Sequence, residues 1–208
     1  MPAGLTDHFA LYEEGGNQRN AGEIFSHLMR GASDEKLLQN AVTLSATARK
    51  RNGKIVVKVK VTNDKTGHHV PTDSPLRHMI LLVQATDRQG QTLILLEGET
   101  LPEWCGVGNP ENGYYARLPG KAYAKILQEL WTEVSPTGAY WNHTRVLSDN
   151  RLAAFATDTG NYMFAAPDKK GVTIEITLLF RRAFISLMHQ KGWNVPDVVM
   201  ARRTLRMR

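Results

Sequence analysis

The chain has 208 residues, 42% of them hydrophobic and 22% charged, enough to bury a core and too apolar for wholesale disorder. No run approaches the roughly 18 to 20 apolar residues of a membrane-spanning helix. The formal net charge of +6 invites a nucleic-acid reading, but the basic residues are scattered, apart from Arg202 to Arg208, and no recognition-helix, RNP or zinc-finger pattern accompanies them. A solvated basic tail is the expectation.

The first residues, Met1 to His8, show no basic segment followed by an apolar one, so no signal peptide is expected within them. Gly15-Gly16-Asn17 breaks any early element, and Ile24, Phe25, Leu28 and Met29 make the stripe of a short amphipathic helix over Asn20 to Arg30. Asp34 to Leu38 adds a helical turn. From Val42 the period changes to two: Val42, Leu44, Ala46 and Ala48, then Asn52-Gly53, then Ile55, Val57, Val59 and Val61. Two alternating runs around Asn-Gly predict a β-hairpin.

Strands follow at His78 to Thr86 and Thr92 to Glu97, with a turn at Asp87-Arg88-Gln89-Gly90, and a second hairpin is read from Tyr162 to Ala165 and Val172 to Phe180. The stretch from Gly98 to Arg151, rich in Gly, Pro, Trp and Tyr, reads as a long insertion ordered by its aromatics, with a helical candidate at Tyr123 to Leu130. Arg181 to Lys191 reads as a helix ending at Gly192, and Asp197 to Leu205 as a final edge strand. The expected architecture is mainly β: an immunoglobulin-like antiparallel β-sandwich of about seven strands. To it are added a short N-terminal helix, the aromatic-rich insertion at about 98–151 and a helix near the C-terminus. Residues 1–40 form an extension and 41–208 the sandwich domain.

The single cysteine, Cys105, excludes an internal disulfide, a CxxC pair and a CxxCH haem attachment within these residues. The densest chemical cluster is the inter-strand segment Asn63 to His78. Its His68, His69, Asp73 and His78 could build a divalent metal site and a small metal-dependent enzyme, although no second ligand group is spaced to complete it. His143 and His189 stand apart. Nothing matches a nucleophile elbow, a P-loop or a dinucleotide fingerprint. Asp149 and Asp158 could form an acid/base pair or a calcium site, against the plainer reading of Asx turns with a salt bridge from Arg151, a tight turn in which Arg151 pins the insertion to the sandwich. Tyr114, Tyr115, Trp131 and Trp141 leave open a free-standing immunoglobulin-like module that binds carbohydrate or protein. Tyr140-Trp141 and the sequon Asn142-His143-Thr144 read as packing and accident.

The segment Asn63 … Gly67-His68-His69-Val70-Pro71-Thr72 … Pro75-Leu76-Arg77 resembles a signature that follows the last haem in a family of multihaem c-type cytochromes, departing at Asp73, where the family usually has Gly. Leu118-Pro119-Gly120-Lys121, Ser148-Asp149-Asn150-Arg151, Val172 to Phe184 and Lys191-Gly192-Trp193 continue the resemblance in order. Met1-Pro2-Ala3-Gly4-Leu5-Thr6-Asp7-His8 is similar to what lies just downstream of the last haem motif. The resemblance implies a haem-free C-terminal domain, not an enzyme in its own right. It would cap and support the last haem of an electron-transfer cytochrome and dock partner proteins. Haem c would then sit in an upstream region or a partner chain, and the parent protein would be periplasmic or extracellular. It also offers His8 as a distal axial ligand of a haem outside this chain, and His68 as a haem-proximal or loop-holding residue.

Overall fold

A computed structural model describes residues 11–18, 20, 31–72, 74–167 and 171–207. The chain divides into two compact units, Met1–Ser33 and Asp34–Arg208. In the first, the described residues form 3₁₀ turns at Tyr12–Glu14 and Gly31–Ser33. The helix expected over Asn20 to Arg30 lies outside the described residues except for Asn20, and so does His8.

Among the described residues the second unit is built on ten strands and two short α-helices, α1 (Glu35–Gln39) and α2 (Ile185–Gln190). One four-stranded sheet runs in the order β1 (Thr43–Arg51), β2 (Lys54–Thr62), β8 (Thr157–Ala165), β4 (Leu95–Glu97). The other runs β10 (Val198–Met207), β9 (Val172–Arg181), β3 (His78–Asp87), β5 (Gly120–Tyr123). A separate ribbon pairs β6 (Lys125–Glu129) with β7 (Thr144–Asp149), and every pairing is antiparallel. The fold is mainly β and sandwich-like, as the period-2 runs predict.

Local signals place the first hairpin. Asn52 and Gly53 take φ of 50° and 69°, the left-handed pair that a two-residue hairpin turn needs, and β1 then pairs with β2 from Arg51↔Lys54 to Thr43↔Thr62. Leu44, Ile55, Val57, Val59 and Val61 are buried while the residues between them face outward or lie half-buried. Asp87 closes the next turn by accepting the amides of Gln89 and Gln91 at 2.8 and 2.9 Å. The unbroken burial from His78 to Val83 has its own cause: β3 is covered on both faces. Met79, Leu81 and Val83 share register with Phe180, Leu178 and Ile176 on one side. Ile80 and Leu82 pack on the other side with Leu101, Cys105, Ala122 and Leu179, roofed by Trp104, Tyr115 and Leu118. The aromatic-rich segment therefore covers the outer face of this sheet.

Four sequence expectations are corrected. Tyr123 to Leu130 is not a helix but the end of β5 and the whole of β6. Its Ala, Lys, Leu, Gln and Glu favour helix, yet Asn150 takes the Ala124 amide and β7 supplies a ladder partner, so tertiary pairing overrides propensity. The region 98–151 is accordingly no mere excursion, since β5 belongs to the main sheet. Tyr162–Ala165 and Val172–Phe180 do not form a hairpin: β8 pairs with β2, β9 with β3 and β10, and the chain crosses between sheets at that point. The strand expected at Thr92–Glu97 also changes sheets. Leu93 still bonds to Ala85 of β3 at 2.8 Å, whereas Leu95 pairs with Phe164 of β8.

Candidate functional site

Asn63, at the end of β2, organises the segment that leads to β3. It is fully buried, and its Nδ2 donates to the carbonyls of His68 and Leu152 at 2.7 and 3.1 Å. Its Oδ1 accepts from Thr66 Oγ1 at 2.7 Å. Val70 and Leu152 exchange both backbone hydrogen bonds at 2.9 Å beside the cis Val70–Pro71 bond. A buried amide making three directed bonds defines one loop conformation, and an unmade one would cost more than each bond returns. The loop thereby displays His68 and His69 at the surface. The His68 ring nitrogen Nδ1 lies 2.9 Å from the His69 carbonyl. A carbonyl only accepts, so Nδ1 carries a proton, and in the neutral ring Nε2 then holds the lone pair.

His78 goes elsewhere. It is fully buried at the start of β3, stacked on Phe184 at 5.0 Å and edge-on to Trp104 at 5.2 Å. Its Nδ1–H donates to the Leu76 carbonyl at 3.0 Å, and its buried Nε2 has no hydrogen-bond partner. Burial pushes its pKa down to about 3, Arg181 adds to that, and only the Leu76 bond opposes it. The metal cluster read from His68, His69, Asp73 and His78 is thus not assembled: two imidazoles are exposed and the third is sealed in an aromatic pocket, while Asp73 lies outside the described residues. Among the described residues no three His, Cys, Asp or Glu side chains converge to hold a metal ion.

Beside His78 in register, Arg181 forms the main buried ionic centre. Its Nε and one terminal nitrogen make a bidentate pair with Asp197 at 2.7 Å each. The guanidinium also donates to the carbonyls of Cys105 at 3.2 Å and Gly113 at 2.6 Å, and covers the Tyr115 ring at 5.1 Å from its centre. This group ties β9 to the covering segment and to the approach to β10. The Cys105 thiol is buried within the same cluster, and burial pushes its pKa up to about 12, which removes it as a nucleophile at neutral pH.

Asp149 and Asp158 have separate partners. Arg151 grips Asp149 through two nitrogens at 2.8 and 2.6 Å, and that hydrogen bonding holds the Asp149 carboxyl below the usual range. Asp158 accepts Tyr123 Oη at 2.8 Å and Lys121 Nζ at 3.1 Å across the two sheets, and burial, then the Asp158 charge, pushes the Tyr123 phenol far up. The residue that pins the insertion is Asn150, which takes the Ala124 amide at 2.8 Å and gives to the Ala122 carbonyl at 2.7 Å. Sequence reading gave that role to Arg151, whose partner is only two residues away. The four aromatics read as a binding platform separate likewise. Tyr114 bonds His189 at 2.9 Å and Tyr115 lies beneath Arg181. Trp131 and Trp141 stand 83% and 72% exposed near the end of the β6–β7 ribbon, with Tyr140. There Glu129, held below its usual pKa by bonds from Thr132, Thr137 and Asn142, shapes the tip.

No family model matches this chain, and no curated protein matches it. Among solved structures it is similar to a penta-heme cytochrome c552 from Thermochromatium tepidum, with a TM-score of 0.61 at 18% identity. The match covers 99% of this chain and 49% of that one, so the chain spans about half the length of the solved relative. At this identity the likeness describes the fold: a β-rich architecture related to part of a cytochrome that carries five haems.

Proposed function

We propose that this chain is a haem-free β domain that works with a multihaem c-type cytochrome in electron transfer, bracing its last haem and docking protein partners rather than catalysing a reaction. The observation that carries the reading is the fold likeness, which takes in nearly the whole chain and only half of a penta-heme cytochrome. The ordered resemblance from Asn63 to Asp197 supports it independently of the fold. His68 fits a haem-facing role in one chemical respect. Iron-ligating imidazoles hold one ring N–H on a carbonyl and present the other nitrogen, and the Nδ1 contact with the His69 carbonyl leaves Nε2 for that use. His8 is the second candidate, through the resemblance alone. The haem itself would be carried upstream or on a partner chain, and the parent protein would be periplasmic or extracellular. Among the described residues no helix is long and apolar enough to cross a membrane.

The test is the protein isolated from its own cells by antibody. A pyridine haemochrome spectrum should show c-type haem, covalently attached upstream or on a co-purifying subunit. His8→Ala or His68→Ala in that material should shift the band or potential of one haem while the β-type circular dichroism persists. A polypeptide purified without haem and without a haem-bearing companion would sink the proposal.

A further inference from the structure

The outer face of the sheet β1-β2-β8-β4 collects charge of one sign. The register places Arg51 opposite Lys54, Arg49 opposite Val56, Lys58 between Thr47 and Asn161, and Lys60 between Ser45 and Thr159. Side chains alternate across a strand, so these five cations share one face, opposite the buried Ile55, Val57, Val59 and Val61. On β1, β2 and β8 the remaining positions of that face are Thr, Ser, Asn, Val, Met and Ala, and none is acidic. Among the described residues of this face and its ends, carboxylates lie at the rims: Glu97 on β4, and Asp64, which accepts from Thr43 Oγ1 at 2.8 Å. No ion pair engages any of the five among the described residues. With the whole chain at +6, one sheet face carries charge comparable to the entire net excess.

Such a face has a cost and no internal return. Like charges directly opposite, as at Arg51 and Lys54, are destabilising, and lysines that guard a sheet edge belong on the edge strand. Lys54, Lys58 and Lys60 instead sit on β2, which has a strand on each side. A depression lined by Thr47, Ala48, Arg49, Val56, Lys58 and Asn161 lies in the middle of the face, with hydroxyl and amide groups next to the cations.

We infer that this face docks an acidic protein surface. Lys58 and Lys60 are two residues apart, roughly 6.6 Å along the strand, which is also the spacing of alternate carboxylates on an extended acidic segment. Other polyanions fit less well. The face offers no aromatic ring for a nucleobase to stack on and no helix to enter a groove. Its larger apolar members, Val56 and Met163, are half-buried and cannot anchor in lipid. The inference does not depend on the haem assignment, because it rests on register and charge alone.

The full chain is titrated with fluorescent poly-L-glutamate at low and at 0.3 M (roughly physiological or above) salt, in parallel with single-stranded DNA and phosphatidylserine vesicles. Saturable polyglutamate binding that weakens with salt is expected. The Lys58→Glu/Lys60→Glu double variant should lose about ten-fold or more in affinity, as reversal of desolvated docking charges does. Arg202→Glu/Arg206→Glu carries the same charge change on exposed β10 and should change affinity less than about two-fold. Lys58→Gln/Lys60→Gln serves if charge reversal impairs folding. Equal losses in the β2 and β10 variants, absent binding, or stronger binding to DNA or vesicles with the same dependence on β2 each overturn the inference.

Discussion

His78 makes the stability of this fold pH-dependent between about pH 5 and 6.5, above the range in which ordinary carboxylates titrate. The imidazole is sealed between Phe184 and Trp104, its Nδ1–H is committed to Leu76, and its Nε2 has no partner to share a proton with. Its pKa therefore falls from 6.5 to about 3 on folding. The unfolded chain binds the extra proton between those values, so stability rises with pH across the window and is lost as pH falls from 6.5. The slope is about 1.4 kcal/mol per pH unit, which amounts to roughly 2 kcal/mol at pH 5. That is a sizeable part of the 5 to 15 kcal/mol typical of a domain. Asp149 and Glu129 shift in the same direction but lower on the pH scale: their depressed carboxyl pKa values contribute stability above about pH 4.5 that is lost only below it.

The assay is urea unfolding followed by tryptophan fluorescence at pH 7, 6 and 5. Wild type should lose about 2 kcal/mol between pH 7 and 5. His78→Phe keeps an aromatic ring in the stack and removes the titrating group, at the cost of the Leu76 hydrogen bond, about 1 kcal/mol. Its profile should lack about one proton's worth of slope. Parallel pH profiles for the two proteins would refute the reasoning, because the titration would then belong to other groups.

Three further outcomes follow from the polar ties and close packing of the second unit. Arg181→Met keeps much of the side-chain length but strands the Asp197 carboxylate and two carbonyls, so it should cost about 3 to 5 kcal/mol and lower Tm by about 10 °C in a thermal melt. Asn150→Ala should cost roughly 2 kcal/mol by denaturant titration, and Arg151→Ala under about 1 kcal/mol, because Arg151 holds only a partly exposed near neighbour; equal losses would return the pinning role to Arg151. Gly120→Ala drives a methyl into the Leu81 carbonyl where β5 meets β3 and should cost about 2 to 3 kcal/mol, visible as an earlier midpoint in guanidinium.

What the sequence makes legible is what is local. The Asn52-Gly53 turn and its flanking alternation specify β1 and β2 within about twenty residues of chain, and Asp87 caps its own turn. The sheet crossings are not local. Nothing in Leu93 to Glu97 says that the strand leaves β3 for β8, about seventy residues later, and nothing in Tyr162 to Ala165 says that β2 rather than β9 is its partner. The burial of His78 carried one readable sign, a continuous apolar run after it, which marks a strand covered on both faces. The roof over that strand, with Arg181 paired to Asp197 and lying over Tyr115, comes from segments far apart in the chain, and no spacing announces it.

The distribution of polar groups separates architecture from contact. Inside the second unit, each strongly placed polar side chain works on the fold: Asn63 ties the loop to Leu152, Asn150 ties β7 to the β5–β6 junction, and Arg181 ties β9 to Asp197 and the covering segment. His78 and Cys105, which could do chemistry elsewhere, are held neutral by burial. The groups that the two proposals use are at the surface, in the His68 ring and the five cations of the outer sheet face. With Asn63 and Arg181 absorbed by the fold and like charge gathered on one sheet face, the polar groups suit holding and docking. The two proposals divide that surface between them: the loop of His68 toward haem, and the face of Lys54, Lys58 and Lys60 toward an acidic partner. They can fail separately, since the first is read in a haem spectrum and the second in a binding isotherm.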